Sequence, residues 1–211
     1  MKLDTALYFI TDSTGFEKNE FLNRVRSALE GGVTIIQLRE KNRTTREYIE
    51  LAEAVHAITK EFNVPLIIDD RIDVMLASDA EGVHVGAEDM PVALARKLIG
   101  KDKILGATAK TVEAAAKAYN DGADYLGVGA IYPTTTKVKT VLTSTETLDA
   151  ITKAVPIPVN AIGGLNSTNL GVLKGINIAG VCAVSAIMKA DSPKKAAEEL
   201  KQAFLKIRGN A

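Results

Sequence analysis

The sequence predicts a (β/α)8 TIM barrel, an α/β fold in which eight parallel strands alternate with helices, as a single domain over residues 1–211. Eight short apolar runs alternate along the chain with segments of helical periodicity. These runs are continuously apolar, which is typical of parallel strands that are covered on both faces. Eight such units in 211 residues match the compact limit of the barrel, although a doubly wound open sheet also fits this pattern.

The eight predicted strands are short and β-rich, and they occupy residues 6–11, 33–38, 64–69, 82–85, 103–107, 125–128, 157–161 and 178–184. Helices are predicted at 21–29, 91–99, 112–121 and 145–154, with shorter and weaker ones after residues 70 and 166. Two more helices carry start signals. Thr44-x-x-Glu47 is a capping-box pattern before one apolar stripe, and Ser192-Pro193 provides an N-cap and a first-turn proline before another.

Composition excludes several classes of protein. The chain has 26 basic and 26 acidic residues, so it has no general attraction for nucleic acid or for an anionic membrane, and any anion site must be local. Its single cysteine, Cys182, lies in an apolar run and is expected to be a core residue. No apolar stretch approaches the roughly 20 residues of a membrane span, and no signal-peptide pattern opens the chain. We therefore expect a cytoplasmic protein, and a homo-oligomer is left open.

Unusual polar or glycine-rich segments lie at the carboxyl ends of seven of the predicted strands. They are residues 37–41, 69–71, 86–89, 106–108, 133–137, 163–164 and 185. The opposite connections, such as residues 30–32 and 120–122, are ordinary helix-stop turns. Because the chemistry of these barrels takes place at the carboxyl ends of the strands, the polar segments predict a functional mouth at that end.

The residue types in this mouth indicate two anion sites, one of them with a metal. Asp70 and Asp89 follow neighbouring strands and offer the oxygen ligands that Mg²⁺ prefers, although ordinary surface solvation also explains two acids. The three cations Arg39, Lys41 and Lys137 suit a diphosphate. A second phosphate site is indicated by the glycines at 163 and 164 with the end of the eighth strand, although Gly-Gly also suits a plain turn.

Other catalytic patterns are missing from the sequence. His56 and His84 each stand alone, so no zinc pattern is present, and His84 is expected to be packed in its strand or to support the site indirectly. There is no Ser-His-Asp arrangement and no second pair of carboxylates. The site is therefore predicted to hold a diphosphate and stabilise its charge more than to move protons.

Several motifs together resemble the thiamine-phosphate synthase family in order and spacing, over about residues 6 to 205. They are "YFITDS", "GGVTIIQLREK", "PLIIDDRIDVMLA", "GVHVGAEDMP", "GATAKT", "GADYLGVGAIYPTTTK", "AIGGL" and "AVSAIM". The resemblance implies a barrel enzyme of thiamine biosynthesis, a transferase with phosphorylated small-molecule substrates. It would join 4-amino-2-methyl-5-(diphosphooxymethyl)pyrimidine to a thiazole phosphate, by a dissociative substitution that releases diphosphate.

The resemblance also implies roles for individual residues. Asp70 and Asp89 would hold Mg²⁺, and Arg39, Lys41 and Lys137 would be the catalytic cations. The implied site for the pyrimidine diphosphate comprises Gln37, Leu38, Arg39, Glu40, Lys41, Asp69, Thr108 and Lys137. The implied site for the thiazole phosphate comprises Thr134, Thr135, Thr136, Gly164, Val184 and Ser185.

The chain departs from the family pattern at four positions. Asp69 stands where the family usually has Asn, Thr108 replaces a common Ser, Ala87 stands where Gln is frequent, and Ala130 replaces a common Pro. None of these changes removes an implied metal ligand or diphosphate cation, so activity is expected to survive. Because neighbouring strand residues point to opposite sides, Asp69 and Asp70 need not act together.

Three alternatives stay open at this point. A thiazole tautomerase of the same superfamily would share the thiazole phosphate site but would not need the diphosphate residues. A sugar-phosphate isomerase or epimerase would need a positioned acid/base pair. A non-catalytic barrel that binds phosphometabolites would have no reason to keep a complete set of metal ligands and cations.

Overall fold

The computed structural model describes residues 3–134 and 141–209, and within them eight parallel strands close into a barrel in sequence order. The strands are β1 (Leu7–Ile10), β2 (Ile35–Leu38), β3 (Leu66–Asp69), β4 (Gly82–Val85), β5 (Ile104–Ala109), β6 (Tyr125–Gly129), β7 (Val159–Ile162) and β8 (Gly180–Ala183). β1 pairs with both β2 and β8, so the sheet has no open edge. The predicted barrel is confirmed, and the open doubly wound sheet is excluded.

The helices lie between the strands, as predicted. They are α1 (Lys18–Glu30), α2 (Thr45–Glu61), α3 (Ile72–Ala77), α4 (Val92–Ile99), α5 (Val112–Asn120), α6 (Thr145–Ala154), α7 (Ser185–Met188) and α8 (Pro193–Arg208). A 3-10 helix, Leu170–Leu173, follows β7. The two connections expected to be weak are indeed short, because α3 has 6 residues and the other is this 3-10 turn. No helix in the described ranges combines the length and the apolar character needed to cross a membrane.

The predicted helix starts at α2 and α8 are confirmed by their hydrogen bonds. The Glu47 N–H donates to the Thr44 side chain, and the Thr44 N–H donates to Glu47 Oε2 at 2.9 Å. Ser192 accepts from the backbone of Lys195, and Pro193 opens the helix. α1 begins three residues before the predicted start, because its first turn is polar and only the later residues carry the apolar period.

The core has two layers, one between strands and helices and one inside the barrel. The inner layer consists of Tyr8, Ile10, Ile35, Ile67, Tyr125 and Cys182. Cys182 is buried there, as predicted, and burial raises the pKa of its thiol. Because side chains alternate along a strand, Gln37 and Asp69 follow Ile35 and Ile67 into the interior one step nearer the carboxyl end. The inner layer is therefore apolar in its lower part and polar towards the mouth.

Candidate active site at the carboxyl end of the barrel

A cluster of opposite charges lies at the ends of β2 and β3. The Lys41 ammonium lies 2.7 Å from Asp69 Oδ2 and also bonds Asp70 Oδ2. Arg39 Nε lies 3.7 Å from the same Asp69 oxygen. Asp70 stands just beyond β3 with a left-handed φ of 61°, which breaks the strand alternation. Both carboxylates therefore reach one ammonium group, although strand geometry did not require them to act together.

The pKa of Lys41 reflects this cluster. Burial lowers the pKa of Lys41, but the carboxylates of Asp69 and Asp70 together outweigh burial, and the net pKa is raised. Lys41 is therefore an ammonium ion at neutral pH. It is a ready partner for an anion that displaces one of its carboxylates.

Asp89 lies beside Asp70 in the loop after β4. Its Oδ2 accepts a hydrogen bond of 2.8 Å from the Gly86 N–H. Burial raises the pKa of Asp89, and the neighbouring carboxyl of Asp70 raises this pKa further. The Gly86 N–H and the Lys41 ammonium act in the opposite direction. Since the neighbouring Asp70 carboxyl makes ionisation of Asp89 more costly, a divalent cation between the two groups would stabilise the ionised form of Asp89.

The donor set fits Mg²⁺ if part of its coordination comes from outside the protein. Carboxylate oxygens are suitable ligands, and Mg²⁺ commonly keeps several waters and takes further oxygens from substrate phosphates. No group of three or more His, Cys, Asp or Glu side chains that could hold a metal occurs among residues 3–134 and 141–209. Asp70 and Asp89 would thus be the protein's contribution to a shared site.

The side chains of Leu38 and Glu40 are engaged away from the cations. Leu38 is fully buried in the layer between strands and helices, and its carbonyl accepts from the Tyr48 hydroxyl at 2.7 Å. Glu40 Oε2 accepts from Ser13 Oγ at 2.7 Å and from Arg43 Nε at 2.9 Å. Glu40 therefore ties the loop after β2 to the loop after β1, and the implied ligand contacts of these two residues stay predictions.

A chain of hydrogen bonds crosses the barrel interior below the charged cluster. Gln37 Nε2 donates to the Tyr8 hydroxyl at 2.8 Å, and the two hydroxyls of Tyr8 and Tyr125 lie 2.7 Å apart. The Tyr125 hydroxyl lies 3.1 Å from His84 Nδ1, and His84 Nε2 lies 3.0 Å from Thr108 Oγ1. Gln37 and Thr108, both expected at the pyrimidine diphosphate site, are the two ends of this chain.

The sequence did not single out Tyr8 or Tyr125 as site residues. The available signal was a tyrosine inside each of two buried strands, because a buried tyrosine hydroxyl needs a hydrogen-bond partner. His84 lies in β4, and its Nε2 lies 3.0 Å from Thr108 Oγ1, so an indirect supporting role at the site stays a prediction. Burial lowers the pKa of His84 to about 4, with Asp89 opposing and Lys41 adding to the effect. The imidazole is therefore neutral at physiological pH.

The loops after β6 and β7 pack closely against each other. Gly163 and Gly164 have left-handed φ values of 104° and 64°. A Cβ on Gly163 would lie 2.3 Å from Ala130 Cβ, and one on Gly164 would lie 2.7 Å from Tyr132 Cβ. Backbone conformation and close packing thus already account for these two glycines, independently of any phosphate.

The remaining predicted phosphate residues lie at the same end of the barrel. Gly164 follows β7, and Val184 lies between β8 and Ser185, the first residue of α7. Thr134 lies in the loop after β6 and is half-buried. Thr135, Thr136 and Lys137 lie outside the described residues, so their predicted contacts stay predictions.

Comparison with known proteins identifies the family. The model of the family described as "Thiamine monophosphate synthase" matches residues 7–187. The chain belongs to this family. The resemblance inferred from the motifs is confirmed, and so is the predicted class of enzyme, a transferase.

Two relatives match this chain over nearly their whole length. The thiamine-phosphate synthase of Clostridium tetani (strain Massachusetts / E88) is 48% identical over 198 residues, which are 94% of this chain and 95% of that protein. Thiamine-phosphate synthase 2 of Streptococcus pneumoniae serotype 4 (strain ATCC BAA-334 / TIGR4) is 52% identical over 200 residues, 95% of this chain and 93% of that one.

Two solved structures superpose on this chain. The thiamine phosphate pyrophosphorylase from Pyrococcus furiosus superposes with a TM-score of 0.88 at 39% identity, and the match covers 98% of both chains. A 3-hexulose-6-phosphate synthase superposes with a TM-score of 0.69 at 19% identity, covering 94% of this chain and 99% of that chain. The second similarity shows the shared barrel fold alone.

Proposed function

We propose that this chain is a Mg²⁺-dependent thiamine-phosphate synthase. It would couple 4-amino-2-methyl-5-(diphosphooxymethyl)pyrimidine with 4-methyl-5-(2-phosphooxyethyl)thiazole, or with its carboxylated tautomer, and release diphosphate and thiamine phosphate. The observation that carries the proposal is the cluster of Lys41, Arg39 and Asp70 beside Asp89 at the mouth of the barrel. The names of the two relatives, each about half identical to this chain, support the same reaction.

The diphosphate half of the site would form by exchange of ionic partners. Lys41 and Arg39 are held by Asp69 in the structure, and an incoming diphosphate would compete for both cations. Bound Mg²⁺, held by Asp70 and Asp89, would supply further positive charge against the phosphate oxygens. Lys137 would add a third cation. A leaving group with this many partners is stabilised as its negative charge grows.

The reaction requires little of the protein beyond binding and charge stabilisation. As the C–O bond to diphosphate breaks, its electron pair leaves with the phosphate, and the aminopyrimidine donates electron density to the resulting carbocation-like CH₂. The thiazole nitrogen then forms the new C–N bond with that carbon, which needs the two substrates held in contact. Arg39 and Lys41 stabilise the departing group, and no side chain has to act as a nucleophile.

The thiazole phosphate would bind where the loops after β6 and β7 meet the start of α7. Thr134, Thr135, Thr136, Gly164, Val184 and Ser185 are the proposed contacts. The Tyr132 N–H donates to the Gly163 carbonyl at 3.0 Å, and Asn169 Nδ2 donates to the Gly164 carbonyl at 2.8 Å. Because the loop after β6 also leads to Lys137, one segment would contact both substrates and help to align them.

The alternatives fit the mouth less well. A thiazole tautomerase does not need Arg39, Lys41, Asp70 and Asp89 gathered at one place. A sugar-phosphate isomerase needs a group that moves protons near neutral pH, and the neutral His84 has a pKa of about 4. In a non-catalytic binding protein, no reaction would require the carboxylates of Asp70 and Asp89 to lie side by side. The cytoplasmic location and any homo-oligomer stay predictions.

The decisive experiment is a coupling assay with the purified protein. Both substrates and Mg²⁺ are supplied, thiamine phosphate is measured by chromatography, and diphosphate release is measured separately. Product is expected only when both substrates and the metal are present. Diphosphate release without the thiazole substrate, or no product in the complete mixture, would contradict the proposal.

The metal site is tested with Asp70→Asn. Asparagine keeps the shape of the side chain and tolerates the left-handed backbone at this position, so the fold should be retained. We expect the Mg²⁺ concentration for half-maximal activity to rise by about tenfold or more, because one of two protein carboxylates is lost. An unchanged Mg²⁺ requirement would remove Asp70 from the metal site.

A further inference from the structure

The hydrogen-bonded chain inside the barrel connects Gln37 and Thr108, two residues that are proposed to bind the same substrate. We call Gln37, Tyr8, Tyr125, His84 and Thr108 the relay. The centre of the relay is buried, since Tyr8 is 1% exposed and Tyr125 is fully buried. Because these buried hydroxyls take their hydrogen-bond partners from one another, the position of each hydrogen is coupled to its neighbours.

The relay has a direction that starts at Gln37. Its Nε2 donates to the Tyr8 hydroxyl, so the hydrogen of Tyr8 is left for the Tyr125 oxygen. The hydrogen of Tyr125 then goes to His84 Nδ1, which must be the unprotonated nitrogen of the ring. In that case His84 Nε2 would carry the ring hydrogen and donate it to Thr108 Oγ1, 3.0 Å away. The hydroxyl hydrogen of Thr108 remains to be donated elsewhere.

We propose that Tyr8, Tyr125 and His84 are positioning residues that fix Gln37 as a hydrogen-bond acceptor and Thr108 as a donor towards the pyrimidine diphosphate. This inference rests on the proposed function. Phosphate oxygens only accept hydrogen bonds, and an amino group on the pyrimidine donates. With the relay reversed, the Thr108 hydroxyl would be consumed by His84 and the amide of Gln37 would present its NH₂. Only the direction inferred from Gln37 suits both parts of this substrate.

Packing shows that the relay is built into the barrel. Gly106 lies between two of its members, and a Cβ there would lie 2.1 Å from Tyr125 Cζ and 2.5 Å from His84 Nδ1. A side chain at this position would therefore separate the two groups. The rings of Tyr8 and Tyr125 meet edge to face, with centroids 5.7 Å apart at 72°, which holds their hydroxyls together.

The direction is tested by the position of the ring hydrogen of His84. The protein contains 2 histidines, so nitrogen NMR of protein with isotope-labelled histidine gives two ring systems, and His84→Gln assigns them. His56 is an internal reference only for a hydrogen on Nδ1, because that nitrogen faces the Ser78 carbonyl at 3.1 Å while its Nε2 faces Glu81 Oε1 at 2.9 Å. For His84 we expect the hydrogen on Nε2. A hydrogen on Nδ1, on both nitrogens or in equal mixture would overturn the proposal.

The effect on the reaction is tested with Tyr125→Phe. We expect the KM for the pyrimidine diphosphate to rise about tenfold, because His84 and Thr108 lose their fixed donor direction, while the KM for the thiazole phosphate stays unchanged. The control is Thr5→Val, which removes another buried hydrogen bond of the barrel, 2.8 Å long and made to Asn160. Equal changes in both KM values, or no change in either, would refute the positioning role.

A second pair of variants separates positioning from packing. His84→Gln can keep an N–H near the position of Nε2, whereas the shorter side chain of His84→Asn cannot reach Thr108. We expect the Gln variant to keep the lower KM for the pyrimidine diphosphate, and an equal KM in both variants would argue against the relay. An inactive wild-type enzyme would contradict the proposed function alone, since the tautomer of His84 is measured without substrate.

Discussion

Replacing Asp69 by Asn removes one negative charge from the mouth and keeps the size of the side chain. Asp69 Oδ2 lies 2.7 Å from the Lys41 ammonium and 3.7 Å from Arg39 Nε. In the proposed reaction both cations must bind the diphosphate, so Asp69 competes with the substrate. The substitution should therefore strengthen substrate binding.

The size of the effect follows from these distances. A diphosphate oxygen bound to the far side of Lys41, at about 2.8 Å, would lie about 5.5 Å from Asp69 Oδ2, given the 2.7 Å ion pair. At an effective dielectric constant of about 20 the repulsion is about 3 kcal/mol. Because the Lys41 side chain is 43% exposed, solvent screening reduces this to about 1.5 kcal/mol. We expect the KM for the pyrimidine diphosphate to fall about tenfold.

The assay measures initial rates against pyrimidine diphosphate at saturating thiazole phosphate, repeated at several Mg²⁺ concentrations. Asp79→Asn is the matched control, since Asp79 is 84% exposed and pairs with Lys103 at the opposite end of the barrel. This control should leave KM unchanged. An unchanged or raised KM in Asp69→Asn would refute the competition argument, and a higher Mg²⁺ requirement would identify Asp69 as a ligand.

Two further predictions concern stability. Thr44→Ala breaks the capping box of α2 and should lower the free energy of unfolding by about 1 kcal/mol in urea titrations with KM unchanged; an unchanged urea midpoint would contradict this. The folded pKa of His84, about 4, lies below its ordinary value of 6.5, so the unfolded chain binds the proton first as pH falls. Stability from this group is full above about pH 6.5 and falls by up to about 3 kcal/mol as pH drops through about 4. Urea titrations should show that His84→Gln lacks this component, and an identical pH dependence in both proteins would refute it.

The strands and most helices could be predicted because their signals are local. Continuous apolar runs mark strands that are covered on both faces, and Thr44-x-x-Glu47 marks a helix start through contacts within one turn. The start of α1 was missed because no side-chain cap marks it. The placement of the polar segments at one end of the barrel followed from the alternation of strands and helices.

The detailed contacts of the site could not be predicted in the same way. Strand alternation suggests that Tyr8, His84 and Tyr125 face inward, but which of them meet depends on the stagger of strands far apart in sequence. The meeting of Asp69 and Asp70 at Lys41 depends on a left-handed residue beyond the strand end. No local pattern in the sequence encodes either feature.

The burial of Cys182 has a practical consequence for experiments. The chain contains 1 cysteine, its side chain is 2% exposed, and burial raises the pKa of its thiol. Low accessibility and a scarce thiolate make this sulfur a poor target for alkylating reagents. A cysteine introduced at Val141, which is 66% exposed, would therefore accept a fluorophore selectively in the otherwise unmodified chain. The emission of this fluorophore would report changes in its surroundings when each substrate is added.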